Sequence, residues 1–273
     1  MLLITGCDGQ LGKSLSALLP EAIAVNKNDL DITDENTVLN FVTNNNIDII
    51  INCAAYTNVD EAQDNIDLAT SVNKIGAENI SKTGATIIHI STDYVFDGIA
   101  HKPYTEDDQT NPESIYGISK LAGERAILSN ANTAIIIRTS WLYDSSHKNF
   151  LTTIKRIADK NDNINVVCDQ IGSPTYVHDL ARVIVDILPK IQKGTNEIYH
   201  YSNEGVCSWY DFAHQIVQKS NLNCSVMPIE SKDYPTKAPR PYYSVLNKAK
   251  IKKDFNIKIP HWIESLEKCL NQS

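Results

Sequence analysis

The chain has 273 residues, 42% of them hydrophobic and 21% charged, which is length enough for a full apolar core and too little charge for a disordered chain. Its formal net charge of -8, from 33 acidic against 25 basic residues, runs against nucleic-acid binding, which depends on neutralising phosphates with lysine and arginine. No segment reaches the roughly 20 consecutive apolar residues that span a bilayer.

In chain order, Met1 to Ile4 is a short apolar strand, and Leu11, Leu15, Leu18 and Leu19 recur at helical spacing. Between them lies Gly6-Cys-Asp-Gly9-Gln10-Leu11-Gly12, a glycine turn after a strand and before an amphipathic helix. That is the setting in which backbone N–H groups and a helix N-terminus cradle a pyrophosphate. Ala22 to Val25 forms a second strand, followed by Asn26-Lys27-Asn28, where dinucleotide-binding folds usually place an acidic residue on the adenosine ribose. Lys27 pairs better with a 2′-phosphate, so the expected cofactor is NADPH, with NADH the alternative. Asp31 sits where it would either accept from an adenine amino group or start the next helix, and its spacing favours neither. Thr33 is the expected cap of a helix carrying Val38, Phe41 and Val42.

Ile47 to Asn52, Thr86 to Ile90 and Ala134 to Arg138 are nearly continuous aliphatic runs, as parallel strands covered on both faces require. Strands alternating with helices predict an α/β fold, a doubly wound parallel sheet of Rossmann type, with ligands at the carboxyl ends of the strands. Ser91-Thr92-Asp93-Tyr94 follows one of these runs directly. Further on, Tyr116 and Lys120 are four residues apart on one helix face. A phenol titrates near pH 10 in water, and a neighbouring ammonium together with the positive charge of a nicotinamide ring would favour the phenolate and lower that value. Thr92, Tyr116 and Lys120 are therefore candidates to converge on one carbonyl group.

After Tyr143 the alternation is broken by Gly172-Ser-Pro174, by Tyr234 to Pro241 and by Ile259-Pro260. The expected division is a dinucleotide-binding domain over 1–142 and roughly 176–203, interleaved with a smaller substrate-binding domain over roughly 143–175 and 204–273. The basic run Lys248 to Lys253 reads as a solvated helix face. His89, His178, His200 and His214 lack metal-ligand spacing and read as structural or exposed, so no metal is expected. The six cysteines contain no Cys-x-x-Cys and fit reduced thiols. With no secretion signal apparent in Met1 to Gly6, the expectation is a cytoplasmic protein with neither nucleic-acid nor membrane partners.

Together these segments resemble the extended branch of the short-chain dehydrogenase/reductase family. The likeness runs through Gly6 to Gly12, Leu30 to Thr33, Asn52 to Thr57, Ser91 to Phe96, Tyr116 to Lys120, Arg138 to Tyr143, Asp169 to Thr175 and Arg240 to Ser244. The Arg-Thr-Ser-Trp and Asp-Gln-x-Gly-x-Pro-Thr segments point within that branch to reductases of nucleotide-linked 4-ketosugars. The resemblance implies reduction of the carbon-4 ketone of dTDP-4-dehydro-6-deoxy-L-mannose to dTDP-L-rhamnose. It makes Tyr116 the proton donor, Thr92 the group that polarises the carbonyl, and Lys120 the holder of the ribose. It adds Asp31, Ile32, Cys53, Ala54 and Ala55 to the cofactor lining of Gly6, Gly9, Gln10, Leu11, Gly12 and Lys27, and it puts Tyr94 and Trp141 in the sugar pocket. Arg240 matches a proline-flanked arginine suited to a diphosphate, with a plain surface arginine as the equal alternative. Some family members dimerise around a metal held by glutamates at positions matching Ser14 and His178 here. Neither residue is a carboxylate, so a monomer or a weak homodimer is expected. A sibling reductase making another 6-deoxyhexose and a non-catalytic cofactor-binding regulatory subunit are the competing readings.

Overall fold

The computed structural model describes residues 1–271. The aliphatic runs become β1 (Leu2–Thr5), β2 (Ile23–Val25), β3 (Ile49–Asn52), β4 (Thr86–Thr92) and β5 (Ala134–Thr139), joined by β6 (Asn196–Tyr201). They form one parallel sheet ordered β6-β5-β4-β3-β1-β2. Its register is a set of matched rows. Ile4, Ile51, Ile88 and Ile135 stand side by side across β1, β3, β4 and β5, and the adjacent row is Leu3, Ile50, Ile87 and Ala134.

Because side chains alternate along a strand, the two rows build two cores. The first row packs under Leu11 and Leu15 of α1 (Gln10–Leu18) and under Leu180 and Ile184 of a helix over Val177–Ile187. The second packs under Val38 and Val42 of α2 (Glu35–Asn44) and under Ile127 of α3 (Ile115–Asn130). A sheet covered on both faces is the doubly wound arrangement. β1 lies between β2 and β3, so the chain leaves β1 in one direction and returns for β3 in the other. The loops after β1 and β3 diverge there and leave a crevice at their carboxyl ends.

Three short strand pairs lie outside this sheet: Leu142–Tyr143 with Thr175–Tyr176, Asn163–Val167 with Ser225–Ile229, and Ile171–Gly172 with Cys207–Ser208. They surround a separate cluster that includes Leu151, Phe212, Ile216, Trp262 and Leu266. Ile251 and Phe255, far along the chain, instead pack into the sheet's first core.

Two local expectations are corrected. Asp34, not Thr33, caps α2 by accepting from Thr37 N at 3.0 Å, while Thr33 donates its N–H and hydroxyl to Asp31 Oδ1 at 3.0 and 2.7 Å. The carboxylate one residue later reaches the free helix N–H, and Thr33 is already engaged with Asp31. The basic run is also paired in part rather than wholly solvated, with Lys253 left exposed. Lys250 binds Glu197, Lys252 binds Glu204, and Lys248 is buried 3.6 Å from Glu204. Among the described residues, no helix is long and apolar enough to cross a membrane.

Candidate active site

The glycine loop closes onto the end of β3. Gly6 has φ +69°, and a Cβ there would lie 2.7 Å from Ala54 N, while one on Gly12 would lie 2.2 Å from Gly6 O. Only glycine satisfies both demands, so the first turn of α1 sits directly on the loop. Gly9 is the N-cap and brings no side chain to the helix N-terminus, which leaves the first N–H groups of α1 open to an anion. Gln10 begins the helix and accepts from Asn149 Nδ2 at 2.9 Å. Leu11 and Ile32 turn their side chains into the two cores, so only their backbone faces the crevice side. Cys53, Ala54 and Ala55 are half-buried opposite the glycines, and Lys27 is exposed beyond β2. The Lys27 charge still reaches Asp31, whose carboxyl is held below its ordinary value first by the Thr33 hydroxyl and backbone N–H.

At the carboxyl end of β4, Thr92 donates to Asp93 Oδ1 at 3.0 Å and accepts from Tyr94 N at 3.2 Å. Ser114 caps α3 by accepting from Gly117 N at 3.1 Å, which starts the helix beside this turn and sets Tyr116 edge-on to Tyr94 at 5.5 Å between centroids. Thr92 and Tyr116 are thus brought together. Lys120, one turn along and 2% exposed, donates to Ile90 O at 2.6 Å and lies 3.4 Å from His89 Nε2. Burial lowers its titration to about 8 against the pull of Glu124 and Cys53. Glu124 is itself claimed by Arg138, with Nε at 2.9 Å and Nη2 at 2.7 Å, and by the Ser91 hydroxyl at 2.5 Å.

The phenol behaves differently from the expectation. Burial pushes Tyr116 up to about 12, helped by the Asp93 charge and opposed by the Thr92 hydroxyl. Lys120 is not among the groups that move it, and its Nζ donates to the strand carbonyl. At neutral pH the phenol therefore keeps its proton, the form that a donor to a carbonyl oxygen needs. Burial also raises Asp93 to about 7, with the Thr92 and Ser244 hydroxyls pulling it back.

Beyond Tyr94, a cavity of about 440 Å³ is lined by residues including Asp97, Gln170, Ser231 and Arg240. Arg240 is no free surface side chain. Its Nη2 donates to Asp60 Oδ2 at 2.6 Å, and its buried Nη1 finds no hydrogen-bond partner among the described residues. Trp141 stacks on Trp209 at 3.5 Å between centroids with φ +49°. That backbone region is unusual for a bulky residue and collects at functional sites.

Comparison with known proteins fits this geometry. The family model described as the RmlD substrate binding domain matches residues 1–273. The chain belongs to this family. Among curated RmlD-family relatives, the dTDP-4-dehydrorhamnose reductase of Aggregatibacter actinomycetemcomitans is 40% identical, covering 97% of this chain and 97% of its own. The spore coat polysaccharide biosynthesis protein SpsK of Bacillus subtilis is also 40% identical, with 99% and 97% covered. The crystal structure of the Bacillus anthracis dTDP-4-dehydrorhamnose reductase in complex with NADP superposes with a TM-score of 0.95 at 39% identity, covering 100% of this chain and 99% of that one.

In this member of the RmlD family, Ser14 and His178 meet each other, with Ser14 Oγ 2.8 Å from His178 Nδ1. Three buried polar residues stand behind the site, of which the sequence reading makes His89 only structural or exposed and gives Asn52 and Asn73 no role. His89 is buried between Lys120 and Asn52. Asn73, in a π-helical turn over Ser71–Ile75, holds Tyr56 N at 2.8 Å and donates to Ser119 Oγ at 2.9 Å. The signal for His89 was in view, since a histidine between Ile88 and Ile90 in a buried strand demands partners. The signal for Asn73 was not, because a π turn has no local sequence signature.

Proposed function

We propose that the chain reduces the carbon-4 ketone of dTDP-4-dehydro-6-deoxy-L-mannose to dTDP-L-rhamnose, as an NAD(P)H-dependent oxidoreductase of nucleotide-sugar biosynthesis. The observation that carries this reading is the meeting of Thr92 and a protonated Tyr116 at the sheet end beside the glycine loop, with Lys120 one helical turn behind them, in a chain of this family. The bare N-terminus of α1 and the side-chain-free surfaces of Gly6 and Gly12 fit the pyrophosphate of a dinucleotide. When bound, the reduced nicotinamide supplies the hydride.

The remaining chemistry falls to the chain's own groups. Tyr116 gives its phenolic proton to the carbonyl oxygen as that oxygen becomes an alkoxide, so ketone, hydride and proton sum to the alcohol. The Thr92 hydroxyl polarises the same oxygen. Lys120 holds ribose hydroxyls, and Asp31 offers Oδ2, the oxygen that Thr33 leaves open, to the adenine amino group. Lys27 supports NADPH over NADH. Arg240 directs Nη1 at the diphosphate of the nucleotide sugar, while Tyr94 and Trp141 line the sugar pocket. The two-domain division remains part of this proposal, with Ile251 and Phe255 of the 204–273 segment packing on the sheet rather than on the second cluster. The Ser14–His178 contact supports a monomer or weak homodimer without a bridging metal, and the substrates suit a cytoplasmic location.

A coupled assay tests the proposal. dTDP-glucose with the upstream dehydratase and epimerase, this protein and NADPH or NADH should give loss of nicotinamide absorbance with dTDP-L-rhamnose as product. A different sugar would make the chain a sibling reductase. Cofactor binding without oxidation would make it a regulatory module.

A further inference from the structure

Three buried polar residues behind the site form a line that can be read proton by proton. Asn52 ends β3, and its Oδ1 accepts from Ala54 N at 3.2 Å and from the Thr5 hydroxyl at 2.7 Å. A backbone N–H can only donate, so this contact fixes the amide orientation and turns Nδ2 toward His89 Nδ1 at 3.0 Å. An amide Nδ2 can only donate as well, so His89 Nδ1 must be the acceptor. Burial holds this imidazole well below its ordinary titration range, so it is neutral and carries its hydrogen on Nε2.

That hydrogen faces Lys120 Nζ at 3.4 Å. An ammonium has no lone pair and would meet it donor to donor, whereas an amine would accept it while still donating to Ile90 O. We infer that His89, oriented by Asn52, is a positioning residue for Lys120, presenting Nε2–H to the lysine and favouring its amine form over the ammonium. The other groups around Lys120 are Tyr116 and Glu124 on its own helix and Cys53 after β3. The Glu124 charge is largely answered by Arg138, and burial pushes the Cys53 thiol up to about 12, so it is neutral. Lys120 is thereby a group that exchanges its proton in the neutral range rather than a fixed charge. The same line ends at Ala54 N–H, so the segment assigned to line the cofactor is tied to the lysine assigned to hold its ribose. This rests on the cofactor-binding reading above.

The first measurement needs no turnover. In the full chain, two-bond ¹⁵N–¹H correlation of the histidine rings at pH 7 should show His89, assigned by its loss in His89→Gln, as the neutral ring protonated on Nε2. A ring protonated on Nδ1, or an imidazolium, overturns the inference. The second measurement is the pH dependence of NADP affinity followed by tryptophan fluorescence. The wild type should show an ionisation near that of Lys120. His89→Gln, whose amide oxygen can face an ammonium, should move it upward by about one pH unit. Asn52→Asp should do likewise, because a carboxylate takes a proton on Nδ1 and turns Nε2 into an acceptor. A purely structural role would lower the melting temperature and leave the ionisation in place, which also overturns the inference. If the coupled assay fails while the ring is protonated on Nε2, the reductase reading falls and the His89 assignment stands.

Discussion

Lys120→Met replaces a buried cation by an apolar side chain of similar length, and its effect on stability can be worked from the structure. A fall in titration from 10.5 to about 8 amounts, at about 1.4 kcal/mol per unit, to roughly 3 kcal/mol of destabilisation whenever the lysine is charged in the folded chain. Against this stands the bond to Ile90 O, which for a charged donor contributes about 1.5–3 kcal/mol. The variant should therefore equal or slightly exceed the wild type in stability at pH 7. The slope is firmer than the sign. Between about 8 and 10.5 the unfolded chain binds a proton on Lys120 that the folded chain does not, so wild-type stability gains on the variant as pH rises through that window. Below about 8 both states of the wild type are protonated and the gap is constant. Urea unfolding of both proteins at pH 7 and at pH 10 reads this directly, because every other titration cancels in the difference. A difference that stays flat with pH, or moves the other way, would refute the claim that burial depresses Lys120.

Three further outcomes follow from the same contacts. Tyr116→Phe should reduce turnover by about 10²–10⁴ while leaving NADP affinity unchanged, measured by coupled assay and by fluorescence titration. Asp93 is raised to about 7, so the folded chain binds its proton more tightly than the unfolded chain. Its contribution to stability should accordingly fall as pH rises from about 4 to about 7, and melting temperatures of Asp93→Asn across that range should lack this decline. Glu124→Leu strands the Arg138 guanidinium in a buried site and should cost about 3–5 kcal/mol in urea unfolding.

The parts of the site legible in the sequence are those that one segment defines alone. Gly6 to Gly12 declares its turn by glycine spacing, and Tyr116 with Lys120 declares a shared helix face. The parts that were not legible depend on distant segments meeting. His89 and Asn52 lie 37 residues apart and touch only because β3 and β4 pair in register. The expected effect of Lys120 on the phenol failed for a related reason. Spacing fixes which face a side chain leaves from, but the open carbonyl of Ile90 decides where its end goes. The basic run misled because its acidic partners, Glu197 and Glu204, sit some 50 residues earlier in the chain.

The substrate-facing segment is held in place by the protein itself. Asp60 accepts from Ala238 N through Oδ1 at 3.0 Å and from Arg240 Nη2 through Oδ2 at 2.6 Å, and Lys237 pairs with Asp64. These partly exposed pairs add little to stability, since solvent screens them. Their effect is directional. With Nη2 held by Asp60, the backbone at Ala238 pinned and Tyr94 beside it, the guanidinium plane is set, and the buried Nη1 is a donor without a partner among the described residues. Asn149 likewise ties Gln10, at the head of α1, to the loop that follows the Leu142–Tyr143 strand. An arginine oriented before its anion arrives loses less side-chain freedom on binding. On the proposed reading of Arg240, Asp60 would act by orienting that arginine rather than by holding the fold together.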